Sequence, residues 1–160
     1  SDLLVLPHFA GAATPYMDTG SRGAVIGLNI STSVSDIYRG CMEGVAYEMR
    51  LNMEHLSGSG LRCQVLNATG GGARSSVWMQ MKADILNIPV AALETVDAGT
   101  VGSAMMTGIA AGCFQSMEDA ADHMVRERKV YKPDREMHDK YMERYGRYRD
   151  LYRAVRPLVR

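Results

Sequence analysis

The chain is 160 residues long, with 18 Lys and Arg against 18 Asp and Glu, so its formal net charge is zero. That length suits one domain, residues 1–160, able to bury a sizeable core without staples, and the balanced charge sets up no overall field for nucleic acid or an anionic membrane. Cys41, Cys63 and Cys113 fit neither a zinc site nor a disulfide framework, and no apolar run reaches transmembrane length, which points to a reducing, cytoplasmic protein.

Leu3 to Leu6 is apolar and stops at Pro7, as a short strand entering a loop would. His8 to Arg22 is rich in glycine and small residues and reads as irregular. Gly23 to Asn29 reads as a second strand. Ser33 then caps a helix, with Asp36 as its capping-box partner. Ile37, Cys41, Val45, Met49, Met53 and Leu56 recur at spacings of four and three, so they form the expected buried stripe of about six turns. Gly58 and Gly60 end it. Gly40 and Gly44 interrupt this helix at a cost of about 1 kcal/mol each relative to Ala, which close backbone packing would explain.

Val65 to Thr69 has strand character and runs into three glycines, Gly70, Gly71 and Gly72. A helix follows from Ser75 or Ser76 and ends at Asn87 and Pro89. A strand that turns through glycines into a helix N-terminus suits a phosphate or ribose ligand. The missing Cβ atoms allow close approach, and the first-turn amides lack intrahelical partners. A tight turn with no ligand is the plainer reading. A side chain at Gly72 is expected to block the approach while leaving the fold intact.

Val90 to Leu93 reads as a strand parallel to the one before it. Thr95 to Gly99 is a loop, and Thr100 to Ala111 is a helix of small residues expected to pack tightly against its neighbours. Ser116 with Asp119 starts a short helix to about Val125, and Arg126 to Pro133 is polar and extended. A long helix spans Arg135 to Arg156, burying Met137, Tyr141, Tyr145, Tyr148, Tyr152 and Val155. Its tyrosines and arginines segregate by face, which argues against nucleic acid. The four histidines show no ligand spacing, and Asp18, Asp36, Asp84 and Asp97 read as turn, cap or surface residues.

The glycine turn is not a Walker A loop, because no Gly-Lys-Ser/Thr follows it. Gly70-x-Gly72-x-x-Ser75, with Glu94 after the next strand, leaves open a Rossmann-type domain of an NAD-dependent oxidoreductase. The sequence Gly70-Gly71-Gly72-Ala73-Arg74-Ser75, with Trp78, Gln80, Ala83, Asp84 and Pro89-Val90, resembles the adenosine-side motif of FGGY carbohydrate kinases of the xylulokinase-like branch. The resemblance extends upstream through Leu6-Pro7-His8-Phe9, Thr14-Pro15, Arg22-Gly23-Ala24 and Glu43-Gly44-Val45-Ala46. Downstream it takes in Gly102-Ser103-Ala104 and the Tyr-rich terminal helix.

This resemblance implies an actin-like, ribonuclease H-like α/β lobe with a mixed sheet flanked by helices. It implies the C-terminal, ATP-binding lobe of a two-lobe sugar kinase that uses ATP with Mg. The lobe would contact ATP through Gly70, Gly71, Gly72, Ala73, Ser75 and Ser76, with the Gly102 helix close by. Partners would be ATP or ADP and, in the full-length protein, a sugar or polyol resembling xylulose. The catalytic aspartate and the phosphate-gripping loop are expected upstream, so no catalytic residue is assigned here and the isolated lobe is expected to be inactive. A homodimer is compatible with an exposed cleft face. A non-catalytic actin-like interaction module is the remaining alternative.

Overall fold

The computed structural model describes residues 2–95 and 97–159. In chain order these residues form β1 (Leu4–Leu6), β2 (Ala24–Ile26), α1 (Val34–Gly58), β3 (Leu66–Ala68), a 3-10 turn (Gly71–Arg74), α2 (Ser76–Leu86) and β4 (Val90–Leu93). They continue with α3 (Ala98–Ala110), α4 (Met117–Met124), β5 (Glu127–Tyr131), α5 (Arg135–Tyr148), α6 (Leu151–Val155) and a final 3-10 turn (Arg156–Leu158). They divide into two compact units. One draws on the stretches up to Cys63, Asp84–Asn87 and from Pro133 onward, and the other comprises Gln64–Ala83 and Ile88–Lys132.

In the first unit β1 and β2 pair antiparallel, with Val5 opposite Val25. Helix α1 starts as its sequence requires: Ser33 Oγ accepts from the Asp36 amide at 3.2 Å, and Asp36 Oδ2 accepts from the Ser33 amide at 2.9 Å. The buried face of this helix differs from the expected one. Gly40, Glu43, Gly44, Ala46, Tyr47 and Leu51 are buried, whereas Ile37, Cys41, Val45, Met49 and Met53 are half-buried and Leu56 is exposed. The reason is backbone contact. A Cβ at Gly44 would run into the Val5 carbonyl oxygen, so β1 can lie only on the glycine side of the helix. Gly44 is therefore a packing glycine.

Tyrosines of the terminal segment close this unit. The Tyr47 ring lies 5.1 to 6.4 Å from those of Tyr141, Tyr145 and Tyr148. Tyr148 donates to Glu48 at 2.7 Å and Tyr145 donates to Glu54 at 2.8 Å. Buried His8 bridges Ser21 Oγ at 2.8 Å and Glu48 Oε1 at 3.2 Å, a structural role. Burial and the adjoining carboxylates raise the pKa of Tyr145 and Tyr148 well above the usual phenol value. The expected single helix from Arg135 to Arg156 is broken between Tyr148 and Leu151. No Gly or Pro marks the break. Tyr148 on one side is tied to Glu48, and Tyr152 on the other to Asp18, so each segment is fixed by its own anchor. Met137 is only half-buried. Asp84, read from sequence as a turn, cap or surface residue, is buried and accepts from the Asp134 amide at 2.9 Å.

In the second unit β3 and β4 pair in parallel, as expected, with Asn67 opposite Ala91. Polar β5 joins β4 antiparallel, with Ala91 opposite Val130, completing a mixed sheet. Asp97 caps α3, which starts two residues earlier than expected. This helix is not enclosed by its neighbours. Only Met105 is buried, no atom lies within 4 Å of a Cβ built at Gly102, and its close contact is Gly108 against the Phe114 ring. Its small residues mostly leave an open surface.

The Asp18 clasp makes stability pH-dependent. Hydrogen bonds from Tyr152 and then Arg156 hold the Asp18 carboxyl below the usual Asp range. A folded pKa below the unfolded one adds stability above the ordinary carboxylate pKa and loses it as pH falls through the folded value. The urea midpoint is therefore expected to drop on acidification below about pH 4, and Asp18→Asn is expected to flatten that limb. An acid limb of unchanged steepness in the variant would contradict the clasp.

Candidate functional site

The candidate site is the link from β3 to α2. Leaving β3, the chain passes Thr69 and reaches Gly70 at φ +81°, ψ −173°. L side chains rarely adopt that conformation, so glycine is required there. The next residues form the 3-10 turn, closed by the Ala73 amide donating to the Gly70 carbonyl at 3.2 Å and the Ser75 amide to the Gly72 carbonyl at 3.3 Å. Ser75 then takes an extended conformation and caps α2, its Oγ accepting from the Trp78 amide at 3.3 Å.

Two contacts fix the turn to the sheet. The Ala73 methyl is buried in a cluster with Met79, Ala83, Val90, Ala92 and Tyr131. The Ala73 carbonyl accepts from Arg128 Nη2 at 2.9 Å. Ala73 can therefore offer a ligand only backbone, and its carbonyl is already engaged.

The three glycines differ. A Cβ at Gly70 or Gly71 would meet no atom within 4 Å, so both face open space. At Gly72 it would lie 3.0 Å from the Trp78 ring. The structure thus modifies the expectation for Gly72: its missing side chain makes room for Trp78, and the unobstructed approach is at Gly70 and Gly71. The Gly71 and Gly72 amides donate to no group among the described residues, as befits the start of a helical turn. Ser76 is exposed at the first position of α2. The Ser75 hydroxyl accepts the cap bond and keeps its proton to donate elsewhere.

Beside the turn, Lys82 places its ammonium 4.3 Å from the Trp78 ring centroid, and burial lowers its pKa. Gln80 donates to the Lys132 carbonyl at 2.8 Å. Arg128 and Lys82 were not singled out from the sequence. Arg128 lies in a polar stretch without periodicity, and only the i, i+4 spacing of Trp78 and Lys82 hinted at their contact. Gly102 was expected close by the turn; no atom lies within 4 Å of a Cβ built there, so it makes no direct packing contact with the turn. Among the described residues, no group of three His, Cys, Asp or Glu is placed to hold a metal ion, and no helix is long and apolar enough to cross a membrane.

Residues 1–111 match the C-terminal domain of the FGGY family of carbohydrate kinases. The chain belongs to this family. Xylulose kinase from Bacillus subtilis is 30% identical over 156 residues, which cover 98% of this chain and 31% of that protein. The crystal structure of xylulose kinase from Rhodospirillum rubrum is 30% identical with a TM-score of 0.84, covering 99% of this chain and 31% of the other. Plasmodium falciparum glycerol kinase, solved with ADP, shares the fold at 21% identity and a TM-score of 0.77, over 94% of this chain and 31% of its own. The fold is therefore the actin-like one of the FGGY kinases, as the resemblance implied. The chain spans about a third of the length of these relatives.

Gly72→Val is expected to displace the Trp78 ring and destabilise the chain by about 1–3 kcal/mol through overpacking. Trp78 is the single tryptophan, so urea unfolding followed by its fluorescence reports both effects. Wild-type emission and an unchanged midpoint in Gly72→Val would show that the glycine is not there to admit the ring.

Proposed function

We propose that this chain is the nucleotide-binding lobe of an ATP-dependent sugar kinase, and that the turn from Gly70 to Ser76 seats the adenosine half of ATP. The observation that carries this reading is the pairing of open space at Gly70 and Gly71 with amides at Gly71 and Gly72 that donate to no described group. A planar or sugar face can approach that backbone closely, and the amides can donate to its oxygens or ring nitrogens. Gly70, Gly71 and Gly72 contribute backbone, Ala73 contributes only the contact surface of its backbone because its amide and carbonyl are already bonded, and Ser75 and Ser76 contribute hydroxyls from the start of α2. The ADP in the related Plasmodium falciparum glycerol kinase supports a nucleotide as the ligand.

ATP with Mg would supply the transferable phosphoryl group. Transfer needs a base for the acceptor hydroxyl and charge stabilisation around the phosphoryl group. In this reading both come from sequence outside these 160 residues, as does most of the metal coordination. The acceptor is a sugar or polyol resembling xylulose, in keeping with the names of the relatives. Family membership favours phosphoryl transfer over the hydride transfer that Gly70-x-Gly72-x-x-Ser75 alone left open. It equally favours an enzyme's lobe over a non-catalytic actin-like module.

Gly71→Val tests the seat, because its side chain would enter open space without touching the core. Calorimetric titration with ATP is expected to show at least about tenfold weaker binding in this variant, the equivalent of about 1.4 kcal/mol, with a wild-type circular dichroism spectrum. The 160-residue chain alone is expected to leave xylulose unphosphorylated. Equal ATP affinity in Gly71→Val would remove the assignment, and ordinary turnover by the chain alone would remove the division of labour.

A further inference from the structure

The first unit holds a pocket of its own, about 430 Å³ in volume, between the end of α1 and the junction of α5 with α6. Arg149 and Arg153 line it, and neither guanidinium makes a hydrogen bond or ion pair among the described residues. Arg22, Arg62, Arg135 and Arg147 of this unit are likewise without a carboxylate partner among the described residues, whereas Arg39, Arg50, Arg144 and Arg156 each have one within 3.4 Å. What sets the exposed Arg149 and Arg153 apart is that both line one pocket without such a partner. Arg153 also acts electrostatically on the Tyr16 hydroxyl. The Tyr16 ring is held by stacking on Tyr152 at 3.8 Å, so this wall is pre-formed. His55 lines the pocket too, with Nδ1 2.8 Å from the Leu51 carbonyl, which leaves Nε2 for a ligand.

Gly146 is a second, independent observation. It sits in the last turns of α5 and is helical, without the positive φ that would call for glycine. A Cβ there would meet no atom within 4 Å, so close packing does not require glycine either. A helical glycine costs stability relative to alanine. It is exposed and lines this pocket, so a methyl there would take up part of the pocket's volume.

The chemistry of the lining selects a ligand class. Two unpaired guanidiniums suit a phosphate, which each can meet with forked N–H donors. The one carboxylate, Asp150, makes no side-chain capping bond and can accept only from donors such as hydroxyls. A bare phosphate offers it little, and a neutral sugar leaves the arginines unused.

We propose that this pocket binds a small phosphorylated polyhydroxy compound, with its phosphate on Arg149 and Arg153 and a hydroxyl on Asp150. The site is distinct in residues and chemistry from the glycine turn, and its existence does not depend on the nucleotide reading.

The test is calorimetric titration of the 160-residue chain with glucose 6-phosphate, inorganic phosphate and glucose at one fixed ionic strength, since surface charge effects are screened by salt. Glucose 6-phosphate is expected to bind saturably and more tightly than inorganic phosphate, with glucose alone showing no binding. Arg149→Ala and Arg153→Ala are each expected to weaken binding at least about tenfold, the usual cost of a lost charge-assisted hydrogen bond. Gly146→Ala is expected to raise the Tm while weakening binding, so loss of binding there cannot be ascribed to loss of fold. Gly71→Val is expected to bind glucose 6-phosphate as the wild type does. The proposal is overturned by absent saturation, by equal affinity for inorganic phosphate, by wild-type binding in both arginine variants, or by binding that disappears with Gly71→Val.

Discussion

The candidate site depends on where Ala73 is held. Its methyl is buried between α2 and the sheet, and its carbonyl is fixed by Arg128 from β5. A residue pinned on both sides cannot move to accommodate a ligand, so the preceding chain must adapt its backbone to reach it. The three glycines follow from this constraint, each for a different reason. Gly70 supplies a left-handed φ, Gly71 leaves open space, and Gly72 gives way to the Trp78 ring. A turn made rigid from behind and bare in front can present amides to a ligand with little ordering cost at the moment of binding.

The first unit is built on a different principle. Its centre is a set of phenol–carboxylate and imidazole–carboxylate hydrogen bonds, with Glu48 accepting from Tyr148 and meeting His8. Such a network is costly unless its groups are paired; here the Tyr148–Glu48 bond anchors the segment before the break in the terminal helix, while the buried Tyr47 hydroxyl has no partner among the described residues. Gly44 makes the arrangement possible by letting α1 lie directly on β1.

Much of this was legible in the sequence, and the gaps have physical causes. The capping box at Ser33, the strand–glycine–helix order around Gly70, the parallel pairing of β3 and β4 and the tyrosine stripe are all encoded by local chemistry and periodicity. The stripe on α1 was misplaced because hydrophobic spacing does not register that two glycines and a buried glutamate can form the packed face. Strand β5 was hidden because an edge strand carrying Glu127, Arg128 and Lys129 has no apolar alternation. The small residues of α3 suggested tight packing, yet Gly102 faces open space. In the site, the motif located the turn, but the sequence could not tell which glycine was open and which was covered by Trp78. That distinction depends on a side chain six residues away, and the Arg128 bond to Ala73 depends on one 55 residues away.

The central claim is that the Gly71 and Gly72 backbone contacts a nucleotide. Amide chemical-shift mapping of the isotope-labelled 160-residue chain during an ADP titration tests it most directly. The account predicts that the largest shifts fall on Gly70 to Gly72 and on Ser75 and Ser76, saturating together. Saturable shifts elsewhere, with these amides unmoved, would contradict it.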